Sequence, residues 1–98
     1  INELYPNQER YLLLEVELRR FEAVYASVGE PPRIHVQLQA NLVDVRRGTR
    51  VASFDSRAEA TATRNDRAAV VAAFDDAALR ATRDAALRAG EAAAAYAR

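Results

Sequence analysis

The 98-residue chain has no cysteine, methionine, tryptophan or lysine, and only three glycines and three prolines. Without cysteine there is no disulfide, no thiol nucleophile and no cysteine-ligated zinc, although any redox compartment stays open. The missing lysine goes with 14 arginines and 22 alanines, a bias that reads as GC-rich codon usage rather than as a functional choice. Charge of one sign is not in excess either. The 14 basic residues balance 14 acidic ones, so no global field holds a nucleic acid backbone or an anionic bilayer, which argues against a general DNA or RNA binder. No apolar run approaches the roughly 20 residues of a membrane span, and no basic-then-apolar leader is present. The first residue is Ile1 rather than Met, as expected of a processed or truncated product. Gly29, Gly48 and Gly90 stand alone and form no phosphate-cradling loop.

What remains fits one domain spanning residues 1–98, a size at which only about two thirds of the chain's surface is buried. Half of the residues are hydrophobic, but alanine contributes little burial energy, so the core must come from a few Leu, Val, Phe and Tyr side chains.

Along Tyr11–Leu18, Leu12, Leu14, Val16 and Leu18 alternate with Leu13, Glu15 and Glu17, the period of a strand. Beyond Arg19-Arg20 the apolar set changes parity to Phe21, Ala23 and Tyr25, which predicts a bulge at the arginine pair. The stretch Ser27-Val-Gly-Glu-Pro-Pro32 ends this strand. The second strand, Arg33 to Val45, sets Ile34, Val36, Leu38, Ala40 and Leu42 against His35, Gln37, Gln39 and Asn41, one apolar face and one polar. After the turn at Arg46–Arg50, a third strand runs from about Val51 to Thr61. Matching apolar faces with Val45 opposite Val51 places Leu42 opposite Phe54, Leu38 opposite Ala58, Gln39 opposite Arg57 and His35 opposite Thr61. Asn65 or Asp66 then caps a helix that continues to about the C-terminus. Its apolar side carries Val70, Phe74, Ala77, Ala81, Ala85, Ala89, Ala92 and Tyr96, and its charged side Asp76, Arg80, Arg83, Asp84, Arg88 and Glu91. Gly90 is the one weak point of this helix, a place for it to end or kink, and the alanine-rich tail after it is low in complexity and open to fraying. The elements predict an α/β fold, α+β-like in this stretch: antiparallel strands of a mixed sheet with a long C-terminal helix packed on one face, alanines of the third strand and the helix bringing the layers close and the large core side chains coming from the first two strands and Phe74.

Little here points to catalysis. His35 is the sole histidine, and on the polar strand face it lies away from Ser27, Ser53 and Ser56, so a surface role is expected. One histidine without clustered carboxylates supplies too few metal ligands. Asp75 and Asp76 point about 100° apart on a helix, which suits an exposed turn better than a carboxylate dyad. No catalytic residue, metal or cofactor is therefore expected. Two features lean toward partner binding. Arg46, Arg47 and Arg50 on the hairpin tip suit an acidic partner or lipid phosphates, or are simply solvated. Leu79 and Leu87 interrupt the charged helix face, as contacts to a missing segment or partner, or merely as good helix formers.

The order of four motifs carries a further implication. Leu14-Glu-Val-Glu-Leu-Arg-Arg-Phe-Glu-Ala23, Pro32-Arg-Ile-His-Val-Gln-Leu-Gln-Ala-Asn-Leu-Val-Asp44, Thr49-Arg-Val-Ala-Ser-Phe54 and Ala68-Ala-Val-Val-Ala-Ala-Phe-Asp-Asp-Ala77 together resemble the ABC-type transport auxiliary lipoprotein component family. These are small lipoproteins associated with MCE-type lipid transporters of Gram-negative bacteria. The resemblance covers about the C-terminal half of that family's domain. It implies a non-catalytic, periplasm-facing subunit, held at the outer membrane by an N-terminal lipid anchor outside this chain. It further implies an MCE-domain protein and an ABC permease complex as partners, and a phospholipid or other hydrophobic substrate moved between the membranes. A homo-oligomer would suit such a role. The alternative is a periplasmic protein-interaction adaptor of similar fold, unrelated to lipid transport.

Overall fold

The computed structural model describes residues 12–97. The expected start of the first strand at Tyr11 lies outside the described residues. Three strands, β1 (Leu12–Val24), β2 (Arg33–Asp44) and β3 (Thr49–Thr61), form an antiparallel meander in the order β1-β2-β3, followed by α1 (Arg67–Ala97). This is the α+β arrangement expected from the pattern, and the described sheet is antiparallel throughout.

The β1 bulge falls at the arginine pair. Leu18 faces Leu38 and Arg20 faces Gln37, so Arg19 is the extra residue, and the parity change that brings Phe21 opposite Val36 is absorbed there. The β2–β3 register differs from the expectation by two residues. Leu38 faces Ser56 rather than Ala58, Ala40 faces Phe54, Gln39 faces Asp55 rather than Arg57, and His35 faces Glu59 rather than Thr61. An even shift leaves every side chain on its expected face, so face matching cannot distinguish the two registers. The turn decides. β2 ends at Asp44 and β3 starts at Thr49, with Gly48 at φ +65°, a backbone region that glycine enters without steric cost. The tighter turn is reconciled with the ladder by a second bulge: Val43 faces Arg50 and Leu42 faces Ala52, which makes Val51 the extra residue.

α1 begins where Asp66 accepts a hydrogen bond from the Ala69 backbone amide at 2.8 Å, satisfying one of the donors that every helix start leaves open. It continues to Ala97, close to the expected C-terminal end, and does not stop at the weak point Gly90, because packing on the sheet outweighs the propensity cost of a single glycine. Its buried row is Ala69, Ala73, Ala77, Ala81, Ala85 and Ala89, spaced four apart, and Ala77 and Ala81 are fully buried. Val70 and Phe74, expected on the apolar face, flank this row and are half-buried. Against the alanines lie Ile34, Val36, Leu38 and Ala58, so the two layers meet through small side chains.

The helix covers β2 and β3 and barely reaches β1. The expectation that the first strand contributes large core residues is therefore corrected. Leu14, Val16, Leu18 and Phe21 share the helix-side face but are 37%, 51%, 57% and 50% exposed, and Phe21 touches α1 by stacking on Phe74 with ring centroids 4.5 Å apart. The expected charged side of α1 is also redistributed. Arg80 and Arg88 donate to the β3 carbonyls of Glu59 and Asp55, and Asp84 accepts from the buried Ser56 hydroxyl at 2.8 Å. Arg88 also sits over the Phe54 ring, 4.5 Å from its centroid. One flank of the helix is thus pinned to the outer edge of the sheet by polar contacts.

Candidate partner interface

The β2–β3 hairpin tip is held by a carboxylate that sequence reasoning did not single out. Asp44, 1% exposed, closes β2, and its Oδ1 accepts from the Arg47 backbone amide at 3.2 Å. Its Oδ2 accepts from the Tyr96 hydroxyl at 2.6 Å, and the Arg47 Nε lies 3.9 Å from the same oxygen. The Tyr96 hydrogen bond, helped by backbone amides of the turn and by Arg47, holds the Asp44 carboxyl below its ordinary value of 3.8 against the opposing effect of burial. The same bond raises the Tyr96 phenol above its ordinary 10.0, since losing that proton would leave two anions in contact. Tyr96 therefore ties the last helical turn to the hairpin, and the alanine-rich tail is helical to Ala97. An aspartate two residues before Arg46-Arg47-Gly48 was the available signal, because Asp favours capping a turn's free amides.

With the turn fixed in this way, Arg46, Arg47 and Arg50 are all exposed at one end of the molecule. Thr49 Oγ1 donates to the Arg47 carbonyl at 3.4 Å, a further brace on the tip. Leu79 and Leu87 are 49% and 64% exposed on the side of α1 turned away from the sheet, two helical turns apart. The structure does not bring them together with the arginines. The five sequence-derived positions form two separate surfaces, a basic tip and an outer helix face, and the apolar row on β1 is a third that sequence reasoning had assigned to the core.

His35 lies 3.5 Å from Glu59 Oε2 on the open sheet face, while Ser56 points to the helix side and bonds Asp84. Ser53 shares the His35 face but pairs with Asn41, about 20 Å along the strand, and donates nothing to it: its hydroxyl accepts from Gln39 at 2.9 Å. Neither Ser53 nor Ser56 therefore couples to His35. Nor does any group of three His, Cys, Asp or Glu among them have a metal-binding arrangement. A depression of about 230 Å³ near Val24, Pro31, Arg33 and His35 is smaller than the usual small-molecule site.

No family model matches the chain, and no curated protein matches it. Two solved structures are similar. One is a DUF330 protein from Xanthomonas campestris, 30% identical, with a TM-score of 0.62 over 76% of this chain and 41% of that protein. The other is a candidate lipoprotein from Caulobacter crescentus CB15, 17% identical, with a TM-score of 0.60 over 98% of this chain and 77% of that protein. The chain thus shares the fold of both, and it spans about two fifths of the length of the Xanthomonas protein.

Proposed function

We propose that this chain is the C-terminal part of a lipid-anchored auxiliary subunit of an MCE-type ABC transport system, facing the periplasm from the outer membrane and acting without catalysis. The observation that carries the reading is the fold shared with a candidate lipoprotein over 98% of the chain, added to the ordered strand and helix motifs of the auxiliary lipoprotein family. In this role the domain is a docking element. The hairpin tip, braced by Asp44 and Tyr96, offers Arg46, Arg47 and Arg50 to an acidic surface of the MCE protein or to lipid phosphates, where guanidinium groups bind with fixed geometry. The permease complex supplies the energy, and the hydrophobic substrate passes between membranes without chemical change.

The test is co-purification of the full-length protein with the MCE component, in wild-type form and with Arg46, Arg47 and Arg50 all changed to Glu. Association that the triple reversal weakens is the expected result. A protein that fails to associate, together with intact lipid transport after its deletion, would overturn the proposal.

A further inference from the structure

The outer face of α1 has an order that neither the fold nor the transport role uses. The buried alanines recur every four residues, and so does the row opposite them: Arg67, Val71, Asp75, Leu79, Arg83, Leu87 and Glu91. All seven are exposed, and the three apolar members are 51%, 49% and 64% exposed. Read backwards from its centre at Leu79, the row repeats itself with every charge reversed: Asp75 is answered by Arg83, Val71 by Leu87 and Arg67 by Glu91. The neighbouring helix charges are already engaged, Asp76 with Arg80 at 2.9 Å and Asp84 with Arg88 at 3.4 Å. Asp75 and Arg83 have no such partner among the described residues.

We propose that this face is a homodimer interface, in which two copies pair antiparallel about a two-fold axis at Leu79. A two-fold interface must be complementary to itself, and a row that inverts its charges on reversal meets that condition. Leu79 then packs on Leu79 of the partner subunit. Asp75 lies against Arg83 of the partner subunit, and Arg83 against the partner's Asp75, so each pair occurs twice. Ala72 and Ala86, exposed on either side of Leu79, are small enough to let the two helices approach. Val71 and Leu87 lie about 80° to either side of Leu79 around the helix and border this seam. A parallel pairing in register would instead set Asp75 against Asp75 and Arg83 against Arg83, which disfavours it. The dimer is independent of the transport role proposed above.

Sedimentation of the full chain over a concentration series tests this directly. A single helix face makes a small interface, so the dimer should appear at concentrations on the order of tens of micromolar or above and weaken as salt is raised. Arg83→Asp alone, or Asp75→Arg alone, places like charges together at two points and should weaken the dimer by about tenfold or more. The double variant Asp75→Arg/Arg83→Asp should restore it, and Leu79→Arg should abolish it. These positions are exposed, so circular dichroism should show each variant folded as the wild type is. A chain that stays monomeric throughout overturns the proposal, as does a dimer indifferent to the single reversals or one the double variant does not restore.

Discussion

The spacing of α1 from the sheet depends on alanine, and Ala81→Leu tests that dependence most directly. Ala81 is fully buried, as is Ala77 one turn before it, and both lie in the cluster that includes Val36, Leu38 and Ala58. Leucine adds three carbons. If the interior could accept them, burial would contribute at most about 2.4 kcal/mol, at roughly 0.8 kcal/mol per carbon. To make room, however, the helix must lift from β2 and β3, and all six buried alanines sit on the same rigid rod. Overpacking a well-filled core costs typically about 1–3 kcal/mol net. A loss of about 2 kcal/mol corresponds in a domain this small to a fall of about 8–16 °C in Tm. Urea unfolding followed by far-ultraviolet circular dichroism should show a lower midpoint with an unchanged slope. Ala95→Leu, on the exposed side of the same helix, should stay within about 0.5 kcal/mol of wild type. A variant at position 81 as stable as wild type would show that the alanine row does not set the layer spacing.

Other outcomes follow from single contacts. Gly48→Ala should destabilise the protein by about 1 kcal/mol, because φ +65° strains any residue with a Cβ, whereas Gly90→Ala in open helix should stabilise it by about 0.5–1 kcal/mol; paired urea melts would expose an error in either sign. A double-mutant cycle on Phe21→Leu and Phe74→Leu should return a coupling of about 0.5–1.5 kcal/mol, and a coupling near zero would mean the stacked rings do not hold β1 to the helix. The pH dependence has two limbs. Asp44 and Asp66 have lowered folded values, so their contribution is present above the unfolded value of 3.8 and is lost as pH falls through the folded ones. Tyr96 has a raised folded value, so its contribution is present below 10.0 and is lost as pH rises through the folded one. Urea midpoints should therefore be level near neutrality and fall at both extremes, with Tyr96→Phe flattening the alkaline limb; an alkaline limb unchanged in that variant would refute the assignment to Tyr96.

The two candidate surfaces were legible to different degrees. Arg46, Arg47 and Arg50 stand out in the sequence as a basic turn, and the structure adds the anchor that positions them. That anchor joins residues 44 and 96, and no local pattern connects positions so far apart. Leu79 and Leu87 were conspicuous as apolar residues among charges. Their relation to Asp75 and Arg83 became visible once the buried row was known to run from Ala69 to Ala89, since the outward row is defined by opposition to it.

The sequence by itself determined what depends on neighbours in the chain. Alternation of period two set the strands and their faces, the parity change placed the bulge at Arg19-Arg20, and the short polar side chains Asn65 and Asp66 set the helix start to within one residue, at Asp66 in the structure. Tertiary structure decided what depends on distant residues. It chose between two β2–β3 registers that leave every side chain on the same face, through the turn closed at Asp44 and the bulge at Val51. It carried α1 through Gly90, because many packing contacts outweigh one unfavourable propensity. It also placed the helix over β2 and β3, leaving the apolar row of β1 in solvent. Periodicity says which side of a strand is apolar, but what covers that side is fixed by where the next layer sits.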